Sequence, residues 1–169
     1  MKHMPKTVTR AGAITMGAAA MLAVAVVGLA PAASAQAAAA PNCQFGSTYG
    51  TVVSSALVTK DIGGNPIGKI QLCRDSSYKY WGFLLLNNPP TASQYGNAYI
   101  ERYRDGSYES LVGCDSKGGN GIVVPPNQTR CWTPKFSGLS GHYTFDAIGF
   151  VNSSHTGNRY AYGQTPRKR

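Results

Sequence analysis

From residue 51 onward the chain alternates short apolar runs with clusters of turn formers, at the spacing of strands rather than helices. Residues 51–60 (TVVSSALVTK) are rich in β-branched side chains, and the cluster Asp61-Ile62-Gly63-Gly64-Asn65-Pro66 that follows predicts a turn. Residues 67–74 then return antiparallel, completing a first hairpin. Residues 79–86 (KYWGFLLL) are the most apolar stretch outside the N-terminal leader. Trp81, Phe83 and Leu85 alternate with Tyr80, Leu84 and Leu86, the pattern of a strand covered on both faces, and this strand is expected at the centre of the core. Asn87-Asn88-Pro89-Pro90 ends it, because proline cannot donate to a ladder.

Asp105-Gly106 predicts a two-residue hairpin turn, since both central positions of such a turn need positive φ. That loop sets a register of Arg104 opposite Ser107, Tyr103 opposite Tyr108, Arg102 opposite Glu109 and Ile100 opposite Leu111. One face then carries Tyr99, Glu101, Tyr103, Tyr108 and Val112 and is expected to pack inward. The Arg102/Glu109 face is expected to meet water. Further strands are predicted at 122–124, 128–133 and 142–151, the last alternating Tyr143, Phe145, Ala147, Gly149 and Val151. The polar stretch from Asn152 to the end reads as a loose basic tail with Tyr160 and Tyr162 docking back. The resulting class is all-β, an antiparallel sandwich or small barrel of seven to eight short strands.

The N-terminal pattern is different. Lys2, Lys6 and Arg10 precede an Ala/Val/Leu-rich run over residues 11–30, then Pro31 and Ala33-Ser34-Ala35 before Gln36. This is the layout of a secretory signal peptide over residues 1–35. No basic stop-transfer cluster follows and no lipobox precedes Cys43, so export without a membrane or lipid anchor is the expectation. Residues 36–42 read as a flexible leader, 43–151 as one β domain and 152–169 as the tail.

Export changes the reading of the cysteines. All four (Cys43, Cys73, Cys114, Cys131) lie beyond the leader, and an even number in an exported chain implies two disulfides. Of three connectivities the sequential one, Cys43–Cys73 with Cys114–Cys131, is favoured. A metal site is not expected, because there is no C-x-x-C pair and His142 is far from Cys131. No cofactor is expected either.

The formal net charge is +9. Three of the positives fall in the leader and three are Arg167-Lys168-Arg169, while the rest are scattered. A nucleic-acid binder would concentrate them in a stripe, so that class is set aside. A basic exported protein is nevertheless drawn to anionic polymers in a salt-dependent way.

Catalytic motifs are thin. Gly138-Leu139-Ser140-Gly141-His142 ends in His where a nucleophile elbow needs Gly, and Ser76 with Lys79 lacks the partner motifs of S-x-x-K enzymes. His142 and Asp146 fall on one strand face but about 13 Å apart, beyond hydrogen-bond reach. His142 or His155 could still meet an acid from another strand. Exposed aromatics are the other candidates, as stacking platforms for sugars or anchors for a protein. Tyr95, Arg102, Arg104 and Trp132 are the binding candidates least expected in the core.

Gly64-Asn65-Pro66-Ile67-Gly68-Lys69-Ile70-Gln71-Leu72, followed by Ser76-Ser77 and Trp81, is similar to small exported proteins of unknown function from high-GC Gram-positive bacteria. In those, a G-x-x-I-G-x-V-x-L strand precedes a Ser-containing turn and a Trp strand. The chain departs from them in carrying Cys73 inside the strand, which leaves its disulfide partner open. The resemblance implies export and β structure and no site. The functional expectation is a secreted, non-enzymatic module that binds an extracellular polymer or protein. The alternatives are an enzyme inhibitor presenting a clamped loop at 115–121, and a small hydrolase built on His142 or His155.

Overall fold

The structure is a computed structural model that describes residues 41–60, 64–154 and 157–169. The signal-peptide reading, most of the predicted leader and His155 lie outside the described residues. Every regular element among the described residues is a strand: β1 (Gln44–Phe45), β2 (Thr48–Tyr49), β3 (Thr51–Thr59), β4 (Pro66–Arg74), β5 (Lys79–Leu86), β6 (Tyr95–Arg104), β7 (Ser107–Gly113), β8 (Arg130–Trp132), β9 (Phe136–Ser137), β10 (Tyr143–Asn152) and β11 (Arg159–Gln164). β1 and β2 form a small hairpin. The others make one antiparallel sheet in the order β7-β6-β10-β11-β3-β4-β5-β8, with β9 on the far part of β5. The sheet curls into a half-barrel, so the class is all-β as its alternation predicts.

The curl encloses the main core. Val58, Ile70, Leu72, Leu84, Ile100, Phe145 and Ala147 are fully buried within it, and Tyr80 stacks on Phe145 at 4.5 Å between ring centroids. Opposite walls approach so closely that one strand must carry glycine: a Cβ on Gly149 would lie 2.9 Å from Ile70 Cβ and 3.0 Å from Leu84 Cδ1. β5 is covered on both faces, as its unbroken apolar run predicts. Tyr80, Leu84 and Leu86 face the main core, while Trp81, Phe83 and Leu85 form a second cluster with Cys43, Cys73, Phe45 and Trp132.

Both disulfides are the sequential ones. Cys43–Cys73 pins the N-terminal segment to the back of β4, helped by a hydrogen bond from the Cys43 amide to Gln71 Oε1 at 3.0 Å. Asn42, assigned to the flexible leader, is tied there too, its Oδ1 accepting from Lys69 Nζ and Gln71 Nε2. Cys114–Cys131 sits in the main core. Closing loops of these lengths stabilises the fold by about 3 to 4 kcal/mol each in the chain-entropy model.

The expected tail over 152–169 is corrected. β11 lies inside the sheet between β10 and β3. Beyond it the chain still pairs with β10, through Thr165 to Ala147 and through a two-way backbone contact of Lys168 with Phe145 at 2.7 and 2.8 Å. The residues β11 turns inward are Ala161 and Gly163, small enough to leave no hydrophobic run in the sequence. The compact unit accordingly runs on to Arg169 rather than ending at 151.

The β6–β7 hairpin is half right. Asp105 and Gly106 have φ of 49° and 85°, and Arg104↔Ser107 and Tyr103↔Tyr108 pair as the turn dictates. A bulge then shifts the register, giving Arg102↔Ser110 and Ile100↔Val112. The face assignment reverses as well. Ala98 and Ile100 point into the core and the tyrosines point out, because the narrow interior admits Ala and Ile opposite Gly82 and has no room for a row of phenols. Arg102, expected in water, lies over the rings of Phe136 and Tyr143 at 4.6 and 5.0 Å and pairs with Glu109 at 2.5 Å. The 122–124 strand reduces to a single bridge between Val123 and Gly96.

Candidate functional site

Turning β6 inside out relative to the sequence reading creates an open face. Tyr95, Asn97, Tyr99, Glu101 and Tyr103 alternate along its outer side, so successive tyrosines stand about 13 Å apart with polar groups between them. β10 sets Phe150 opposite Asn97, Ile148 opposite Tyr99 and Asp146 opposite Glu101, and β11 adds Tyr162 and Gln164 beside Phe150 and Ile148. Tyr99 packs against Phe150 at 5.1 Å and Tyr103 meets Tyr108 edge-on at 5.9 Å. Tyr108 is 60% exposed, and Leu57, on β3 at the other border of the face, is 61% exposed.

The polar groups are held in fixed orientations. Asn152 Nδ2 donates to the Tyr95 hydroxyl at 2.6 Å, and the Tyr103 hydroxyl donates to Glu101 Oε2 at 2.5 Å. Gln164 Nε2 donates to Asp146 Oδ2 at 3.1 Å and itself accepts from the Tyr162 hydroxyl. Asn97 is buried at the base of this face, its Oδ1 accepting from the Ala98 and Cys114 amides. The Arg159 guanidinium stacks over Phe150 and Tyr162 at 5.1 and 4.8 Å, and that of Arg167 lies 3.3 Å above the Tyr103 ring.

Charge is concentrated at the centre of the face. Asp146 is 4% exposed, and its Oδ1 finds no hydrogen-bond donor among the described residues. Burial, with the Glu101 carboxylate facing it, pushes the Asp146 carboxyl up to about 6, against a lowering from the Gln164 hydrogen bond. Asp146 therefore keeps its proton into the mildly acidic range. Burial and the hydrogen bond to Glu101 push the Tyr103 phenol up to about 12, and burial raises Tyr99 and Tyr162. At neutral pH these phenols are uncharged donors. The face thus offers aromatic surfaces interleaved with fixed donors and acceptors, which suits stacking on and hydrogen bonding to a flat, hydroxyl-rich ligand.

The four sequence candidates do not converge. Tyr95 stands on this face. Arg102 is on the opposite side of β6, Arg104 is exposed beside the hairpin turn, and Trp132 packs against Phe45 at 6.0 Å on the back of β5. His142 meets Asp105, not Asp146, with Nδ1 2.8 Å from Oδ1 and both side chains about two-thirds exposed at the hairpin tip. The loop at 115–121 is tied to the body through Gly121 N to Cys114 O and Asn120 N to Trp132 O, with Asp115, Lys117, Gly118 and Asn120 exposed. Among the described residues no three His, Cys, Asp or Glu side chains gather as a metal site, and no helix is long and apolar enough to cross a membrane.

Glu101, Asp146, Tyr162 and Gln164 were not among the binding candidates read from the sequence. The available signal was Glu101 itself, a carboxylate on a strand face otherwise marked as core. No protein-family model, curated protein or solved structure significantly matches the chain.

Proposed function

We propose that the protein is a non-enzymatic binding module that works outside the cell and takes up a polysaccharide chain on the β6–β10–β11 face. The observation that carries this reading is the row Tyr95, Tyr99 and Tyr103 on an open sheet surface, with hydrogen-bonding side chains fixed between the rings. Polymer-binding surfaces gain affinity from such aromatic anchors and orientation from the polar groups beside them. Two disulfides are compatible with an oxidising, extracellular setting. The inhibitor alternative needs a solvent-exposed loop held at both ends, and the 115–121 segment, exposed at Asp115, Lys117, Gly118 and Asn120 and enclosed by the Cys114–Cys131 clamp, keeps it as the second reading. The hydrolase alternative gains no support from His142, which pairs with Asp105 at an exposed hairpin tip, and His155 lies outside the described residues.

The test is co-sedimentation with insoluble polysaccharides of different linkage, at low and high salt, for the native protein and for Tyr99→Ala and Tyr103→Ala. Retention at high salt, weakened about tenfold by either substitution, is the expected outcome. Binding abolished by salt and indifferent to the tyrosines would refute the reading and leave simple charge attraction.

A further inference from the structure

A second site lies at one end of the half-barrel, around the turn from β4 to β5. Asp75 organises that turn: its Oδ1 accepts from the Ser77 and Lys79 amides at 2.9 and 3.0 Å, and its backbone carbonyl accepts from the Tyr78 amide. The turn drives Tyr78 to a φ of 55°, a left-handed conformation that bulky side chains rarely adopt. The Tyr78 ring consequently stands out of the turn, 50% exposed. Strained residues of this kind cluster at functional sites.

Arg74 leans over that ring at 4.9 Å and lies 5.9 Å from the ring of Tyr80. It also hydrogen-bonds the Tyr80 hydroxyl, which raises its pKa further above an already basic value. A cleft of about 380 Å³ opens beside it, lined by Arg74, Tyr78, Tyr80, Leu139 and Arg169. On the other side of Arg74 a second cleft of about 530 Å³ runs past Tyr49, Trp81 and Lys135. Arg74 is common to the two. Tyr49, Tyr78 and Leu139, all strongly exposed, border them.

The balance of charge is one-sided. The Asp75 carboxylate is matched by Lys135 Nζ at 2.9 Å; burial would raise it, but the hydrogen bonds from Lys135 and the turn amides hold it below the usual range. Arg74 and Arg169 form no ion pair among the described residues. Two guanidinium groups without a carboxylate partner among the described residues thus line one cleft, an arrangement suited to an anion with several oxygens to share, and the exposed rings suit the units on either side of it.

We propose that these adjoining clefts form a phosphate-binding site for a soluble, phosphate-bearing polymer, with Arg74 and Arg169 on the phosphate and Tyr78 and Tyr49 against neighbouring units. The site is independent of the tyrosine face on β6. The test is titration of the intact protein with polyphosphate, with a polyuronate of similar charge, and with vesicles of phosphatidylglycerol in phosphatidylcholine. Polyphosphate should bind at 0.15 M salt, and R74Q and R169Q should each weaken it about tenfold or more. Arg169 is exposed, so R169Q should leave the thermal melt unchanged, and a binding loss with a native melt is not a folding defect. Tyr78→Asn, which removes the ring while tolerating positive φ, should weaken binding as well. Arg104→Gln and Tyr103→Ala should leave it unchanged. Equal loss in Arg104→Gln, a polyuronate that binds as well as polyphosphate, or binding to the vesicles alone would overturn the proposal. Because Tyr103→Ala is read against polysaccharide and R74Q against polyphosphate, either site can fail without the other.

Discussion

Replacing Asp146 by Asn should stabilise the protein at neutral pH, although it removes a native hydrogen-bonding residue from the middle of the sheet. The carboxyl has an ordinary pKa of 3.8 and one of about 6 in the folded protein. A folded pKa raised above the unfolded one means that the folded state holds the extra proton between those values. The contribution of this group is thus most favourable below about pH 4 and is lost as pH rises through 6. Two units correspond to about 3 kcal/mol at most, and about 1–3 kcal/mol is a fair range for a carboxylate at the border of a solvated face. Asparagine keeps an oxygen for Gln164 Nε2 and turns an amide donor toward Glu101, where the native Oδ1 has none. Urea unfolding at pH 4 and pH 7 measures the effect. D146N should gain about 1–3 kcal/mol at pH 7 with an unchanged m-value, and the gain should vanish at pH 4. A variant destabilised equally at both pH values, or a native protein whose stability is flat between them, would refute the reasoning.

Two further outcomes follow from the packing. Gly149→Val should cost about 1–3 kcal/mol by overpacking, since its Cβ alone would already crowd Ile70 and Leu84; a thermal melt unchanged from the native protein would contradict the close approach of the two walls. Truncation after Asn158 should abolish cooperative unfolding, because it removes β11 from between β10 and β3, and a truncated protein with a native circular-dichroism melt would restore the loose-tail reading.

The strongest signals in the sequence were those that depend on neighbours in the chain. The Asp105-Gly106 turn, the two-sided burial of β5 and the sequential disulfides follow from local φ requirements, unbroken hydrophobicity and loop closure. Errors arose where the deciding partner is distant. Whether Ile100 or Tyr99 faces inward depends on how much room β5 and β10 leave, and Gly82 and Gly149 set that room from elsewhere in the chain. β11 escaped because its inward residues are Ala161 and Gly163, which carry no hydrophobic period. The outer face was invisible for the same reason: its acids belong to strands that meet only in the fold, and Arg167, read as part of a loose tail, reaches it through the pairing of residues 165–168 with β10.

The strand order also bears on the timing of assembly. β3, β4 and β5 form one side of the sheet and β6, β7 and β10 the other, and the ladder joining them is β11. A nascent chain that has completed ten strands still has two separate sheet edges and no seam between them. The backbone ladder is therefore completed only when Arg159–Gln164 pairs on both sides, which makes the docking of β11 the step that joins two half-sheets into one.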